Sequence, residues 1–170
     1  MKPAPLAGYR VLELSSAAAG PLAAAILADQ GADVIKIEPP TGDFMRGIGT
    51  MRNGVAAVFA ALNRNKRSVA IDLQHPAGRA MLHRLVPTAD VLIHNLRPDV
   101  AERLGAGFDE LRALRPELVY VAINGWGTSG PAVRDAAYDS IIQAACGLAR
   151  HQGGNARPTF IRTVVCDKAT

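Results

Sequence analysis

Short β-rich runs alternate with alanine-rich stretches along the whole chain, and this alternation constrains the fold more than any other feature. The β-rich runs predict strands at residues 9–14, 33–38, 67–72, 90–95, 118–124 and 161–165. Helices are predicted between or after them, at residues 21–30, 55–63, 76–85, 98–104, 109–114 and 138–150. Pro21, Pro76 and Pro98 fit the first helical position, where the missing amide proton costs nothing.

Strand–helix–strand alternation predicts an α/β fold. Such units connect through right-handed crossovers, which gives a doubly wound, mostly parallel sheet. A chain of 170 residues is the size of one domain, so we expect a single domain over residues 1–170. Ligands of these sheets bind beyond the carboxyl ends of the strands, and the residues that follow each predicted strand are therefore the first site candidates.

Charge and composition exclude several classes of protein. No apolar run approaches the roughly 18 residues of a membrane span, and the N-terminus lacks the apolar core of a secretory signal. The net charge is +4, but the cations are scattered, and their densest cluster, Arg64, Lys66 and Arg67, contains no aromatic residue. That pattern disfavours nucleic-acid binding. It suits an anionic small ligand such as a phosphorylated cofactor, or only a basic surface.

The histidines and cysteines indicate neither a metal site nor a disulfide framework. The four histidines lack the spacing of metal ligands, so we interpret them as surface or core residues and expect no metal. Cys146 lies on a predicted helix and is expected in the core, and Cys166 is expected to pack at the end of an apolar run. Two cysteines in a chain of this size point to a reducing cytoplasm.

The first two predicted strands raise the question of a dinucleotide site. Glu38 ends the second strand about twenty residues after the first, where dinucleotide-binding folds place their ribose-binding acid. The intervening loop, SSAAAGPLAAA, contains one glycine, whereas the pattern G-x-G-x-x-G needs three. A Glu38 that caps or pairs at the end of the sheet is therefore favoured over a nicotinamide-cofactor site.

Two further strand exits carry polar residues that have more than one interpretation. Asn95 and Arg97, with Arg103 in the next helix, either converge on phosphate groups or serve as helix caps and surface residues. Asp167 follows the last predicted strand, where a carboxylate is costly unless it has partners or a task. It would act as a nucleophile toward an activated acyl group, as a general base, or as a cap of the next element.

Nine motifs in order resemble one known family. The chain resembles the N-terminal half of the class III CoA-transferases, the CaiB/BaiF group, which includes formyl-CoA transferase and α-methylacyl-CoA racemase. The resemblance extends over residues 6–170. Its motifs are LAGYRVLEL with AGP, LADQGADVIKIEPP, GDFMR, LNRNKRSVAIDL, ADVLIHNLRP, RLG, PELVYVAINGWGTSGP, AAYDSIIQAACGL and CDKAT.

The resemblance implies a fold, a reaction and a set of site residues. The fold would be a Rossmann-like large domain that binds CoA, and Asp167 would attack the thioester carbonyl of an acyl-CoA. The resulting mixed anhydride would become an aspartyl-CoA thioester, from which a carboxylic acid takes over the CoA through a second anhydride. The implied CoA contacts are Ala18, Ala19, Asp72, Leu73, Asn95, Leu96, Arg97, Arg103, Ala137, Tyr138 and Asp139.

Three positions depart from the family pattern. Pro39 stands where many relatives carry an arginine against the CoA nucleotide, and Asp99 replaces a common glycine. Tyr138 occupies the position of the catalytic histidine of the racemases. Racemisation needs two groups that exchange the α-proton, so this replacement favours CoA transfer over an α-methylacyl-CoA racemase. A non-catalytic CoA-binding fragment is the other alternative.

Members of this family are more than twice as long as this chain. Residues 1–170 would therefore be the N-terminal CoA-binding domain, without the small second domain and the return of the chain. We expect exposed apolar surface, association and loss of activity for these residues alone. The resemblance also implies a cytoplasmic, interlocked homodimer that acts on an acyl-CoA and a carboxylic acid acceptor, with no nucleic acid, membrane or metal.

Overall fold

The computed structural model describes residues 4–170, which form short strands and helices in alternation. The strands are β1 Arg10–Leu14, β2 Asp33–Glu38, β3 Met51–Arg52, β4 Val55–Ala56, β5 Arg67–Ala70, β6 Val91–His94 and β7 Val119–Ala122. The helices are α1 Ala19–Asp29, α2 Ala57–Leu62, α3 Pro76–Leu85, α4 Pro98–Arg103, α5 Phe108–Leu114, α6 Asp139–Ala145, α7 Leu148–Gly153 and α8 Val165–Ala169, with 3₁₀ turns at Phe44–Gly47 and Val86–Thr88.

The chain divides into two compact units, Met1–Ile123 and Asn124–Thr170. The first unit holds β1 to β7 and α1 to α5, and the second holds α6, α7 and α8. No helix in the described residues 4–170 is both long and apolar enough to cross a membrane.

A five-stranded parallel sheet organises the first unit. Its strand order is β5-β2-β1-β6-β7, and all four pairings are parallel. From β1 the chain first adds β2 and β5 on one side and then crosses to β6 and β7 on the other. The predicted α/β fold is confirmed. The strand order changes direction between β1 and β6, and parallel sheets bind ligands at such a point.

Two apolar cores cover the two faces of this sheet. Alternate side chains of a strand point to opposite faces, so Leu12 packs with Leu82 of α3 and Leu111 of α5. Val11, next to Leu12, packs instead with Ala24 of α1. Because α1 contributes small side chains, its backbone lies close to the strands.

Two predicted elements in the second unit are wrong. Residues 161–165 form no strand: the chain is irregular there until α8 begins at Val165. The predicted helix 138–150 is two helices, α6 and α7, separated at Gly147, whose φ of 81° lies in the left-handed region that glycine adopts without strain. Cys146 is exposed at the end of α6, so its predicted core position is also wrong.

One predicted helix of the first unit also begins differently. Residues 55–63 start as strand β4, which pairs antiparallel with β3, and the helix α2 begins only at Ala57.

Candidate functional site

A cleft of about 310 Å³ opens at the carboxyl ends of the strands in the first unit. Segments that follow β1, β2, β5 and β6 line it, which is where ligands of parallel sheets bind. Its lining includes Ser15 and Ser16 after β1, Pro39 and Asp43 after β2, and a third segment at Asp72, Leu73 and Gln74.

The predicted CoA contacts divide between the two units. Asp72, Leu73 and Leu96 line the cleft of the first unit. Ala18 and Ala19 are half-buried at the start of α1, and Arg97 and Arg103 are exposed at the two ends of α4. Asn95 is half-buried directly after β6. Ala137, Tyr138, Asp139 and Asp167 lie in the second unit.

Asn95 joins the segments that follow β1 and β6. Its Oδ1 accepts a hydrogen bond from the Ser16 amide at 3.0 Å, and its Nδ2 donates to the Ser16 carbonyl at 2.7 Å. Both ends of the amide are therefore used to hold the loop after β1. A Cβ at Gly20 would lie 2.4 Å from the Ser15 side chain, so only glycine allows α1 to start this close to the loop.

Four charged side chains form a buried ion cluster behind the cleft: Glu13, Lys36, Asp43 and Lys66. Lys36 Nζ lies 3.0 Å from Glu13 Oε1 and 3.1 Å from Asp43 Oδ2. Lys66 Nζ lies 2.7 Å from Glu13 Oε2. All four side chains are almost completely buried, and the two cations balance the two carboxylates.

The cluster is also tied to the main chain around the cleft. Lys36 Nζ donates to the carbonyl of Ser15 at 2.7 Å, and Ser15 Oγ donates to Glu13. Lys66 Nζ donates to the carbonyl of Pro21 in α1 at 2.8 Å. Burial lowers the pKa of Lys66, and the Glu13 carboxylate opposes this shift. The cluster therefore fixes the loop after β1 to the sheet.

Sequence reasoning missed this cluster, although the strands contain a visible indication. Glu13 and Lys36 are the charged residues at interior positions of the runs RVLEL and DVIKIE, and they are register partners in β1 and β2. Opposite charges at paired positions of two buried strands predict an ion pair.

The three cations of the densest basic cluster in the sequence are paired within the protein. Lys66 belongs to the buried ion cluster, Arg64 pairs with Asp29, and Arg67 pairs with Asp33. Hydrogen bonds from Arg67 hold the pKa of Asp33 below its ordinary value against the effect of its burial.

Glu38 has the structural role favoured from the sequence. Its carboxylate accepts hydrogen bonds from Arg46 at 2.7 and 2.8 Å, from Ser68 Oγ at 2.6 Å and from the Asp43 amide at 2.9 Å. Burial alone would raise the pKa of Glu38, but these hydrogen bonds outweigh it and lower the pKa to about 2. The Arg46 guanidinium also lies 4.0 Å from the centre of the Phe59 ring.

His94 is a buried, neutral histidine at the end of β6. Its Nδ1 accepts a hydrogen bond from the Leu96 amide at 3.1 Å, so the proton is on Nε2. Burial lowers the pKa of His94 to about 4, although the bond from Leu96 opposes the shift. Its ring lies 5.0 Å from that of Tyr120, whose hydroxyl donates to the Ala106 carbonyl.

Asp167 lies on α8 of the second unit, not at the end of a buried strand as predicted. Its side chain is half-buried. Asp139 Oδ2 accepts hydrogen bonds from the amides of Cys166 at 2.7 Å and of Asp167 at 3.2 Å. Burial and then the negative charge of Asp139 raise the pKa of Asp167 above its ordinary value.

A buried amide, Gln143, fixes the segment that leads to Asp167. Its Oε1 accepts from the Ile161 amide at 2.8 Å, and its Nε2 lies 3.4 and 3.3 Å from the carbonyls of Ile161 and Thr163. Its Nε2 also donates to Asp139 Oδ1. Asp139 and Gln143, one helical turn apart on α6, together hold residues 161–167. Tyr138, just before α6, is 71% exposed.

The model of one protein family matches almost the entire chain. The family described as CoA-transferase family III matches residues 6–170. The chain belongs to CoA-transferase family III.

Several curated CoA-transferases are similar to this chain over most of its length. A succinate–glutarate CoA-transferase of Agrobacterium fabrum is 45% identical over 85% of the chain and 38% of its own length. A succinyl-CoA–D-citramalate CoA-transferase of Chloroflexus aurantiacus is 44% identical over 92% of the chain and 39% of its own length. The chain thus spans about two fifths of the length of these relatives.

A solved structure of the same group has the same fold. The crystal structure of a CaiB/BaiF family protein from Brucella suis matches with a TM-score of 0.90 and 38% identity. The match covers 98% of this chain and 46% of that one. The family resemblance expected from the nine motifs is confirmed.

Proposed function

We propose that residues 1–170 are the CoA-binding part of an enzyme that transfers CoA from an acyl-CoA thioester to a carboxylic acid. The observation that carries the proposal is the family match over residues 6–170, joined to a cleft at the carboxyl ends of β1, β2, β5 and β6. Asp72, Leu73 and Leu96 would contact the CoA in this cleft. The resemblance adds Ala18, Ala19, Asn95, Arg97, Arg103, Ala137, Tyr138 and Asp139 as further contacts.

Asp167 is the proposed nucleophile. Its carboxylate would attack the acyl carbonyl, form a mixed anhydride and release CoA thiolate. The thiolate would then attack the aspartyl carbonyl, release the acyl group as a carboxylate and leave an aspartyl-CoA thioester. An incoming carboxylate would displace the thiolate as a new anhydride, and return of the thiolate to the incoming acyl group would regenerate Asp167. Each step passes through an oxyanion that hydrogen-bond donors must stabilise.

The proposed acceptors are dicarboxylic acids. The relatives are named for succinate, glutarate and citramalate, and a further one from Acetobacter aceti, 39% identical, for acetyl-CoA and oxalate. The proposal also retains the homodimer and the cytoplasmic location implied by the resemblance.

The proposed binding of CoA in the cleft is tested by substitutions that fill the cleft. Leu73→Trp and Leu96→Trp place an indole into the lining, whereas Leu114→Trp adds one at an exposed position of α5. We expect calorimetry to show at least about a tenfold weaker Kd for CoA in the first two variants. Leu114→Trp should bind like the unchanged chain. Equal binding by all three variants would remove the cleft from the proposal.

The reaction is tested on the whole enzyme to which residues 1–170 are proposed to belong, because these residues alone are expected to be inactive. The assay runs in D₂O with succinyl-CoA and ¹³C-labelled glutarate, with acetyl-CoA and labelled oxalate, and with a 2-methylacyl-CoA. Mass spectrometry reads acyl exchange and α-deuteration in one sample. Exchange should require Asp167 and be lost in Asp167→Asn, while Asp135→Asn, at an exposed aspartate of the second unit, should retain it. Deuteration of the 2-methylacyl-CoA without exchange would identify a racemase, and CoA binding without either reaction a non-catalytic CoA-binding protein.

A further inference from the structure

Lys36 is the member of the buried ion cluster that contacts two different segments of the cleft lining. Its ammonium group carries three N–H donors and no acceptor. Three oxygens surround its Nζ: Glu13 Oε1 at 3.0 Å, the Ser15 carbonyl at 2.7 Å and Asp43 Oδ2 at 3.1 Å. Ser15 follows β1 and Asp43 follows β2, and both line the cleft. One buried cation therefore joins the lining segments that follow β1 and β2.

Asp43 connects this cation to the shape of the segment after β2. Its Oδ1 accepts a hydrogen bond from the Met45 amide at 3.0 Å, and its own amide donates to Glu38 Oε2 at 2.9 Å. The carboxylate thus caps the 3₁₀ turn Phe44–Gly47. This turn places the exposed ring of Phe44 in the lining of the cleft. The position of Asp43 therefore decides where this part of the lining lies.

The other cation of the buried ion cluster has different contacts. Lys66 Nζ donates to the Pro21 carbonyl in α1 at 2.8 Å and to Asn63 Oδ1, at the end of α2, at 3.0 Å. Buried ion pairs can often be replaced by apolar side chains without loss of stability, so charge balance alone does not explain a cation at position 36. Its contacts with two lining segments do explain it.

We propose that Lys36 is a positioning residue of the CoA cleft and acts through the Asp43 carboxylate and the Ser15 carbonyl. It holds the segments after β1 and β2 in one arrangement before the ligand arrives. A preformed site loses less conformational freedom on binding, which strengthens affinity. The role in CoA binding rests on the proposed function, whereas the positioning of the two segments does not.

Two charge-balanced double variants of the 170-residue chain test this role. Lys36→Met with Asp43→Asn removes one cation and one carboxylate, keeps an oxygen to cap the Met45 amide, and leaves Glu13 and Lys66 as a neutral pair. Glu13→Gln with Lys66→Met removes the other cation and carboxylate and leaves Lys36 beside Asp43. Both variants should unfold cooperatively in urea, because neither leaves an uncompensated buried charge.

We expect the two double variants to differ in two measurements. Without Lys36, hydrogen–deuterium exchange at the amides of Ser16 and Met45 should be at least about fivefold faster, because the two segments open more often. The Kd for CoA from calorimetry should be at least about tenfold weaker. Glu13→Gln with Lys66→Met should stay within about threefold of the unchanged chain in both measurements.

Equal effects of the two double variants on exchange and on Kd, or no effect of either, would overturn the proposal. If Lys36→Met with Asp43→Asn does not fold, Lys36→Gln with Asp43→Asn replaces it, because glutamine keeps a donor for the Ser15 carbonyl. If the unchanged chain does not bind CoA, the proposed function fails, and exchange at Ser16 and Met45 alone decides whether Lys36 positions the two segments.

Discussion

Glu13 is a fully buried carboxylate that contacts two lysines. The free-energy cost of burying its charge depends on how completely the lysines neutralise that charge. Removing one partner of a buried ion pair leaves an uncompensated charge and destabilises by roughly 3–5 kcal/mol. An exposed ion pair contributes about 0–1 kcal/mol, because solvent already screens both charges. The protein contains both kinds: Lys66 with Glu13, and Arg67 with Asp33, where the Arg67 side chain is 63% exposed.

We therefore expect Lys66→Met to lower the free energy of unfolding by roughly 3–5 kcal/mol and Arg67→Met by about 1 kcal/mol or less. Urea unfolding followed by circular dichroism measures both. Glu13→Gln combined with Lys66→Met makes the remaining pair, Lys36 and Asp43, neutral again and should recover part of the loss. Equal small losses for Lys66→Met and Arg67→Met would show that the buried ion cluster is not compensated as described.

The buried imidazole of His94 predicts a pH dependence of stability. The pKa of His94 is lowered from an ordinary value of 6.5 to about 4. Between these values the unfolded chain binds the proton and the folded chain does not, so stability falls as pH falls from 6.5 towards 4. The full difference corresponds to about 3 kcal/mol.

Urea unfolding at a series of pH values checks this. His94→Leu removes the titrating group and should flatten the loss of stability between pH 6.5 and 4. His151→Leu, at an exposed position, should leave that loss in place. If His94→Leu retains the whole slope in this window, another group is responsible for it.

On the scale of elements, the sheet could be predicted from the sequence, but the second unit could not. The β-rich runs located β1, β2, β5, β6 and β7 to within two residues at every end. The run at 161–165 is richer in β-branched residues than these strands, yet the amide of Ile161 donates to the side chain of Gln143 and not to a neighbouring strand. A hydrogen bond of this kind, between a side chain and a distant main-chain amide, leaves no periodic pattern in the sequence.

The candidate site could also be predicted only in part from the sequence. The strand exits indicated where the cleft lies, because that edge follows from a parallel sheet alone. The partners of each side chain depend on long-range geometry. Asn95 is 79 positions from Ser16, and nothing local shows that its amide is used by that loop.

The hydrogen bonds from Gln143 and Asp139 to residues 161–167 predict how fast this segment exchanges its amide protons. Gln143→Leu removes the acceptor for the Ile161 amide and the contacts with the Ile161 and Thr163 carbonyls. We expect hydrogen–deuterium exchange at Ile161 to increase at least tenfold, and that at Cys166 and Asp167 to increase less, since Asp139 still binds their amides. Ser140→Ala, at an exposed position of the same helix, is the matched control. Unchanged exchange at Ile161 in Gln143→Leu would show that Gln143 does not hold this segment.

At the scale of the whole molecule, the buried apolar residues are distributed unequally. Both cores of the sheet, from Val11 to Leu118, lie within residues 1–123. In residues 124–170 the buried apolar side chain is that of Ala149, while Tyr138, Ile141, Phe160 and Val164 are exposed. The sequence predicted exposed apolar surface on the far face of the sheet, but both faces carry a buried core, and these exposed apolar side chains lie in the second unit instead. Association through them remains a prediction.

This distribution predicts that a chain of residues 1–123 folds alone and that residues 124–170 alone do not. The first retains the five-stranded sheet and its helices on both faces, whereas the second buries too little apolar surface to offset the loss of conformational entropy. Residues 1–123 should unfold cooperatively in urea with a circular dichroism spectrum typical of an α/β protein. The spectrum of residues 124–170 should be that of an unfolded chain.

A chain of residues 1–117 is the matched control, because it lacks β7 and with it the contacts of Leu118 and Tyr120 in the larger core. It should be several kcal/mol less stable than residues 1–123, at about 25 cal/mol for each Å² of apolar surface exposed. Non-cooperative unfolding of residues 1–123 would show that the sheet needs the second unit to fold. In that case the cleft at the carboxyl ends of the strands would also need the second unit, and CoA binding would have to be measured in the longer chain.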